Sequence, residues 1–242
     1  MSDIPQRLSR IRESIAQASA RAGRAPDEIR LVAVSKTHPP EGIMEALEAG
    51  QTLFGESRVQ EAKAKIPLLP GRARWHFIGH LQKNKIRKAL ALNFELLHGV
   101  DSLQTATEIN RIAAEEGSRP RVLLEVNLAA ESTKFGFPPE MLRSRMEEVF
   151  ALDRLTIEGL MCLPPPVMKV EDARKYFVAL RNLRDHLQTQ YRIQLPELSM
   201  GMSGDFAVAV EEGSTLVRVG TAIFGERTGK AWKPQADSAF DD

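Results

Sequence analysis

The stretch LVAVSKTHP, residues 31–39, runs from small and branched apolar residues directly into a lysine. Such a short apolar run is typical of a strand that is buried on both faces, as strands in a parallel sheet are. The segment that follows, 40–50, has apolar residues at helical spacing. The sequence therefore predicts a buried strand that delivers Lys36 at its end and continues into a helix.

The same change from strand period to helix period recurs along the chain. The short apolar runs that predict strands are residues 29–36, 52–57, 75–79, 95–102, 121–128, 155–164, 195–203 and 216–225. The segments that predict helices between them are residues 40–50, 58–66, 82–92, 103–117, 138–151, 170–190 and 204–212. A further amphipathic helix, at about 3–22, precedes the first predicted strand.

This alternation predicts an α/β protein, because parallel strands need a crossover and the crossover is usually a helix. Eight such units in 242 residues fit a single (β/α)8 TIM barrel, whose usual length is about 250 residues. We expect the barrel domain to span 1–227 and the C-terminal tail, 228–242, to be disordered. An open doubly wound sheet is the alternative. Its dinucleotide-binding form is disfavoured because no G-x-G-x-x-G motif follows the first strand.

Charge and composition exclude several classes of partner. The 33 basic and 32 acidic side chains nearly cancel, and no basic cluster indicates a nucleic acid or an anionic membrane as a partner. We expect a cytoplasmic protein, because the sequence has neither a signal peptide nor a run of roughly 20 apolar residues that could span a membrane. The single cysteine, Cys162, excludes an internal disulfide and is expected in the core.

Polar residues and glycines stand at nearly every predicted strand end. In a (β/α)8 barrel these ends meet at one face and build the active site there. The residues at the ends are Lys36, Gly55, Glu56, Ser57, Gly79, His80, Asp101, Ser102, Asn127, Met161, Ser203 and 218–221. A packed core does not require so many polar groups, so the sequence predicts a functional site at this mouth.

Lys36 has two interpretations. A lone lysine at a strand terminus commonly extends its ammonium group into water and has no further role. In a dry barrel mouth, burial instead favours the neutral amine, which attacks carbonyl groups and forms Schiff bases. The second interpretation requires a carbonyl ligand and a group that anchors it.

The last two strand ends predict such an anchor. Ser203 and Gly204 lie where the seventh strand turns into a helix, with Asp205 as the expected cap, so backbone N–H groups and a hydroxyl can meet an anion there. Gly220 and Thr221 follow the eighth strand, and the loops after strands seven and eight usually bind phosphate in these barrels. A Schiff-base lysine opposite a phosphate site indicates pyridoxal 5′-phosphate (PLP). A barrel enzyme that binds a phosphosugar through Lys36, as aldolases do, is the alternative.

Several motifs of the chain resemble those of the pyridoxal phosphate homeostasis proteins, which are relatives of the barrel domain of bacterial alanine racemase. The motifs are LVAVSKTHP, FGESRVQEAKAK, WHFIGHLQKNK, VDS, VNLAAESTKFGF, GLMCLPP and LSMGMSGDFAVAVEEGSTLVRVGTAIFGER. The resemblance runs from about residue 5 to about residue 227. It implies a fold-type III barrel that binds PLP.

The resemblance also implies roles for individual residues. Lys36 matches the Schiff-base lysine, and Arg218 matches an arginine that faces the pyridine nitrogen. Ser57 stands where the family usually has an asparagine, and we expect its shorter side chain to make the same contact through a water. The remaining implied cofactor-binding residues are Ile78, Gly79, Asn127 and Met161 in the pocket lining, and Ser203, Gly204, Gly220 and Thr221 around the phosphate.

Arg218 and the tyrosines bear on whether the chain is an enzyme. A guanidinium beside the pyridine nitrogen disfavours ring protonation and weakens the cofactor as an electron sink. The racemase also needs a tyrosine base from a separate domain of its partner subunit, whereas Tyr176 and Tyr191 fall between strands six and seven, away from the mouth. We therefore expect a non-catalytic PLP carrier in vitamin B6 and amino-acid homeostasis. A PLP-dependent amino-acid racemase of low activity is the alternative.

The expected partners are PLP itself and PLP-dependent apo-enzymes that receive it, and the chain is expected to be a monomer or a weak dimer. The other polar residues are expected to be structural. His76 and His80 would not share a helical face, so no metal site is predicted. Glu56 and Glu61 are expected at the surface or at a helix start rather than as an acid or a base.

Overall fold

Eight parallel strands form a closed barrel in the computed structural model, which describes residues 3–129, 131, 134–226 and 232. The strands are β1 (Arg30–Val34), β2 (Leu53–Glu56), β3 (Arg74–Phe77), β4 (Leu96–Val100), β5 (Arg121–Val126), β6 (Thr156–Cys162), β7 (Glu197–Ser199) and β8 (Leu216–Val219). Each strand pairs with the next in chain order, and β8 closes the barrel on β1 with Arg218 opposite Val32. The predicted (β/α)8 barrel is confirmed.

Helices occupy all the segments in which the sequence predicts them. They are α1 (Ile4–Arg21), α2 (Pro40–Glu48), α3 (Val59–Lys65), α4 (Ile86–Leu90), α5 (Leu103–Glu115), α6 (Pro139–Phe150), α7 (Arg174–Tyr191), α8 (Phe206–Glu211) and α9 (Thr221–Phe224). Their apolar faces turn toward the strands, and polar caps fix some of their ends. At the start of α5, for example, the Ser102 hydroxyl accepts a hydrogen bond from the Thr105 N–H at 3.1 Å.

Successive residues of β1 belong to two different cores, as the pleat requires. Leu31 and Ala33 pack against the helices, whereas Val32 lies in a separate cluster inside the barrel. The other members of this inner cluster are Leu53, Leu96, Leu123, Met161 and Leu216, with Ile78 packed against them. Two residues beyond Leu96, Leu123 and Leu216 on the same strands are the buried polar side chains His98, Glu125 and Arg218. Polar and apolar side chains therefore share the interior of the barrel toward the mouth, where Arg218 lies opposite Val32 and Glu125 lies opposite Met161.

The N-terminal helix α1 occupies the place that the eighth helix takes in a regular barrel. The helix after β8, α9, has only four residues, whereas α1 packs against α2, α8 and α9. Side chains near its C-terminal end reinforce this position, because Arg24 Nη1 donates to the carbonyl oxygens of Val210 and Ser214, each at 2.9 Å. Helix α1 thus covers the seam at which β8 meets β1.

All eight predicted strands are longer than the observed ones, and the difference is largest in the last two. The run 216–225 ends as a strand at Val219, because the Gly220 carbonyl accepts hydrogen bonds from the N–H groups of Ile223 and Phe224, both at 2.9 Å, and starts a helical turn. The run 195–203 contributes only Glu197–Ser199. Gly201 bends the chain after it with φ +92°, in a place where a Cβ atom would lie 2.9 Å from the Cα atom of Phe206.

The expectation for the C-terminal tail concerns residues that lie outside the described part of the chain, apart from Trp232. Trp232 contacts the turn between β1 and α2, since its backbone N–H donates to the Thr37 carbonyl oxygen at 3.2 Å. Among the helices in the described ranges, none combines the length and the apolar character that crossing a membrane requires.

Candidate functional site

A cavity of about 290 Å³ opens at the mouth of the barrel, where β1 and β8 end. Most of the residues predicted for the site line it: Lys36, Ser57, Ile78, Ser203, Gly204, Arg218, Gly220 and Thr221. The lining residues that sequence analysis missed are Val34, His38, Leu163 and Met202. Each of these lies within two residues of a predicted site residue in the sequence, and this closeness is the signal that could have identified it.

Lys36 reaches this cavity from a tight turn after β1. The turn begins at Ser35, whose N–H donates to the Gly55 carbonyl oxygen of β2 at 3.1 Å. It closes with a hydrogen bond from the His38 N–H to the Ser35 carbonyl oxygen at 3.1 Å. Within the turn Thr37 has φ +68°, a left-handed conformation that is unfavourable for a β-branched residue. The surrounding structure therefore determines where Lys36 emerges.

Hydroxyl and backbone N–H groups meet where β7 and β8 end, in the wall of the cavity. The Ser203 hydroxyl accepts hydrogen bonds from the N–H groups of Gly220 at 3.3 Å and Ala222 at 3.4 Å. A Cβ atom built on Gly204 would meet no atom within 4 Å, so the backbone there borders open space. These groups lie where the sequence predicts an anion-binding side, and they leave room for a ligand.

The role expected for Asp205 needs correction. Asp205 does precede the first residue of α8, but its side chain makes no capping hydrogen bond to that helix. Its Oδ1 instead accepts the Met202 N–H at 2.6 Å. Because Gly201 turns the chain sharply before α8, the carboxylate stabilises the loop that carries Ser203 rather than the helix.

Arg218 forms the floor of the cavity and is 4% exposed. Its Nη2 donates to the Cys162 carbonyl oxygen at 2.9 Å, and its Nη1 donates to the Ser199 hydroxyl. Burial lowers the pKa of the guanidinium from its ordinary value, but an arginine stays protonated in proteins. Cys162 itself lies in the core, as expected, and burial raises the pKa of its thiol to about 12.

A chain of hydrogen bonds leads from Arg218 into the barrel. Ser199 Oγ lies 2.9 Å from His98 Nδ1, and His98 Nε2 lies 2.9 Å from His76 Nδ1. Burial lowers the pKa of His76 to about 3 and that of His98 well below its ordinary value, so both imidazoles are neutral at pH 7. Sequence analysis missed His98 and Ser199, although their inward positions in β4 and β7 are a signal that strand alternation provides.

Two acidic residues stand beside this chain at the mouth. Glu125 on β5 is buried, and both burial and the nearby Asp101 raise its pKa to about 7, while Arg218 opposes the shift. Asp101 also bonds His80, with 2.7 Å between Asp101 Oδ2 and His80 Nδ1. His76 and His80 therefore have different partners, and the described part of the chain contains no group of three or more His, Cys, Asp or Glu residues that could hold a metal ion.

Three predicted site residues lie outside the cavity lining. Met161 belongs to the inner apolar cluster of the barrel. Asn127 Nδ2 donates to the carbonyl oxygens of Glu131 at 2.9 Å and Lys134 at 3.3 Å, and so holds the loop after β5. Gly79 permits a close approach of two loops, because a Cβ atom there would lie 2.4 Å from the carbonyl oxygen of Ser57. Their roles toward a cofactor stay predictions.

The expectation of a helix start is confirmed for Glu61, which lies in the first turn of α3. The expectation was wrong for Glu56, which is buried at the end of β2. Both carboxylates are buried and form ion pairs with the buried Lys65 of α3, at 2.8 Å for Glu56 and 3.1 Å for Glu61. The two tyrosines do lie where the sequence predicts, in α7, and neither lines the cavity. The Tyr191 hydroxyl donates to the Arg143 carbonyl oxygen at 2.9 Å.

The residues of the cavity fit PLP in their chemistry. An amine, Lys36, and an anion-binding side made of hydroxyl and backbone N–H groups line the same space. The buried guanidinium of Arg218 lines the cavity as well, and Ile78 and Leu163 supply an apolar wall for a ring. Gly204 leaves open the volume that a phosphate would fill.

The chain is similar to named proteins along nearly its whole length. Residues 6–228 match the family described as "Alanine racemase, N-terminal domain". The pyridoxal phosphate homeostasis protein of Aquifex aeolicus is 46% identical over 223 residues, which cover 92% of this chain and 97% of that protein. Its counterpart in Escherichia coli K12 is 42% identical over 235 residues, which cover 94% and 98%. The structure of PipY from Synechococcus elongatus with PLP bound has 40% identity and a TM-score of 0.80, and the match covers 92% of this chain and all of that one.

Proposed function

The chain belongs to the pyridoxal phosphate homeostasis proteins, within the family of the alanine racemase N-terminal domain, and from this membership we propose that it binds PLP reversibly through Lys36. The observation that carries the proposal is the cavity itself, which Lys36, the predicted anion-binding side and the buried Arg218 line together. When bound, PLP supplies an aldehyde that condenses with the Lys36 amine, releases one water and forms a Schiff base.

Each part of the cavity has a distinct task in this proposal. Ser203, Gly204, Gly220 and Thr221 bind the phosphate through hydroxyl and backbone N–H groups. Ser57 and Ile78 border the ring. Arg218 faces the pyridine nitrogen and keeps it unprotonated, because a second positive charge beside a buried guanidinium is unfavourable.

The same arginine favours a carrier over an enzyme. An unprotonated pyridine ring is a weak electron sink and stabilises a carbanion poorly. A racemase that uses two bases also needs a second proton donor at the cavity, and both tyrosines of the chain lie in α7, away from it. The function we propose is therefore to store PLP, protect it and release it to apo-enzymes, with the protein acting as a monomer or a weak dimer in vitamin B6 and amino-acid homeostasis.

Absorbance spectroscopy with added PLP tests this function. We expect wild-type protein to develop a violet absorption band that hydrolysis reverses, and Lys36→Ala to develop none. Lys63→Ala, which alters an exposed lysine of α3, is the matched control and should retain the full band. A wild-type protein without the band contradicts the proposal and favours a phosphosugar ligand.

Chiral analysis of amino acids incubated with the PLP-loaded protein separates the carrier from the racemase. A carrier leaves L-alanine unchanged over many hours at stoichiometric protein. Accumulation of D-alanine that disappears in Lys36→Ala would support the racemase instead.

A further inference from the structure

A buried group of charged residues lies directly beneath the turn that carries Lys36. We call it the Lys65 cluster. It consists of the charged residues Glu56, Glu61 and Lys65 and of Ser35, which is hydrogen-bonded to Glu56 and Lys65. Lys65 is 0% exposed, and its ammonium donates three hydrogen bonds: to the Ser35 carbonyl oxygen at 3.0 Å, to Glu56 Oε1 at 2.8 Å and to Glu61 Oε2 at 3.1 Å. Every N–H of the ammonium group is therefore used inside the protein.

The Lys65 cluster holds the chain on both sides of Lys36. On one side, the Ser35 hydroxyl donates to Glu56 Oε1 at 2.8 Å. On the other side, the Thr37 N–H donates to Glu61 Oε2 at 2.8 Å. Since Ser35 and Thr37 are the two neighbours of Lys36, the cluster fixes the backbone from which the reactive lysine extends.

The left-handed backbone conformation of Thr37 is energetically unfavourable, and the hydrogen bonds of the Lys65 cluster offset this strain. A β-branched residue avoids φ +68° unless its surroundings impose it. The hydrogen bond from Thr37 to a buried carboxylate is charge-assisted and therefore strong. Trp232 adds two further contacts. Its backbone N–H donates to the Thr37 carbonyl oxygen at 3.2 Å, and the centroid of its ring lies 5.6 Å from Lys65 Nζ.

Burying charged groups costs free energy, so a cluster of this kind is a poor means of stabilising the fold alone. Glu56 Oε2 and Glu61 Oε1 are buried without a hydrogen-bond partner, and burial raises the pKa of Glu56. Well-packed apolar residues often replace buried ion pairs without loss of stability. The contacts of the cluster with Ser35 and Thr37 give it a different role, which is to define one geometry for the turn.

We propose that Lys65 is a positioning residue for Lys36, which it serves by holding the Ser35–Thr37 turn from beneath through Glu56 and Glu61. The proposal rests on the proposed function only in naming Lys36 as the reactive amine. Lys65 itself touches no ligand, because it is not among the residues that line the cavity.

Two variants test the proposal. Lys65→Met combined with Glu56→Gln removes one positive and one negative charge together. Glu61→Ala keeps the Lys65–Glu56 pair and removes the acceptor of the Thr37 N–H, together with the contacts of Glu61 to Lys65 and Arg58, so it tests the turn even if the double variant does not fold. Lys63→Met, at an exposed position of the same helix, is the matched control.

The first measurement is amide hydrogen exchange of the protein without PLP. We expect exchange at residues 37–38 to become at least tenfold faster in both variants, whereas exchange in β5 stays at the wild-type rate. Wild-type protection of the turn in a folded Glu61→Ala protein would overturn the proposal. Because no cofactor is present, this result does not depend on PLP binding.

The second measurement is the rate at which the violet band forms after PLP is added. We expect this rate to fall at least tenfold in both variants. Adding Thr37→Gly to Glu61→Ala should restore much of the rate, because glycine adopts φ +68° without strain, and a merely structural role for the cluster predicts no such rescue. Unchanged rates of band formation in both variants would overturn the proposal. If the wild type forms no band but amide exchange in the turn is faster in the variants, the proposed function is contradicted and the positioning role of Lys65 is not.

Discussion

The charge of Glu125 changes near neutral pH. Burial and the neighbouring Asp101 raise the pKa of this carboxyl group from 4.5 to about 7 in the folded protein. Between these two values the folded state holds a proton that the unfolded state has released, so the free energy of unfolding falls as the pH rises. The loss is complete above pH 7 and amounts to about 3 kcal/mol.

Glu125→Gln should remove this pH dependence, because the amide stays neutral at every pH. We expect the variant and the wild type to have equal free energies of unfolding at pH 4, and the variant to be more stable by about 3 kcal/mol at pH 8. Urea unfolding at the two pH values measures the difference. Glu147→Gln, at an exposed position of α6, serves as the control and should follow the wild type throughout; parallel curves for Glu125→Gln would contradict the assignment.

Ser199 supports the buried arginine of the site. Its hydroxyl accepts a hydrogen bond from Arg218 and also contacts His98. Ser199→Ala should lower the free energy of unfolding by about 1–3 kcal/mol, because it leaves a buried donor of the guanidinium without an acceptor. Chemical denaturation measures this loss, with the exposed Ser144→Ala as the control. An equally stable Ser199→Ala protein would mean that Arg218 has another acceptor.

At the residue scale, the residues at strand ends could be predicted from the sequence, whereas the buried residues under the turn that carries Lys36 could not. Lys36, Ser203 and Arg218 were predictable because a barrel brings the ends of its strands to one face. Lys65 was not, because a lysine in a short helix has the same appearance whether it is solvated or buried. Only the three-dimensional structure places it against Glu56, which lies on a different element.

At the scale of elements, the barrel depends on a helix that precedes its first strand. Helix α1 covers the seam between β8 and β1, where α9 is too short to do so. Its buried residues recur at helical spacing, as Leu8, Ile11 and Ile15. This spacing is the reason that the helix could be predicted, but its position against α8 could not, because no local pattern specifies a partner so far along the chain.

Leu8→Ala tests the contribution of α1. Leu8 is 0% exposed, so its truncation leaves a cavity between α1 and the barrel and should cost about 2–5 kcal/mol of the free energy of unfolding. Urea denaturation followed by circular dichroism measures the change. The neighbouring exposed Ser9→Ala should stay within about 0.5 kcal/mol of the wild type. A loss in Leu8→Ala as small as that of the control would show that α1 is dispensable.

Strand ends were the elements that sequence analysis located least well. The run 216–225 is rich in β-branched and apolar residues, yet Thr221–Phe224 is helical. The reason lies in the hydrogen bonds: the Gly220 carbonyl accepts from the N–H groups of Ile223 and Phe224, so the chain leaves the strand after Val219 and forms a helical turn. Local propensity for a strand is therefore overridden at this position.

At the scale of the whole molecule, the two faces of the barrel carry different kinds of residues. The face at which strands begin is covered by ion pairs, among them Arg30 with Glu197 and Arg121 with Glu158. The opposite face holds the cavity with Lys36 and Arg218. The alternation of strands and helices was sufficient to predict this architecture, because eight units in a chain of this length have few other arrangements.

The position of α1 also has a consequence during synthesis on the ribosome. Arg21 at the end of α1 bonds Glu211 of α8, which follows it by 190 residues. At about 5–20 residues per second, translation needs on the order of 10–40 s to add that length of chain. For this interval the part of the apolar face of α1 that packs against α8 and α9 has no partner, and the barrel cannot close until β8 has been synthesised.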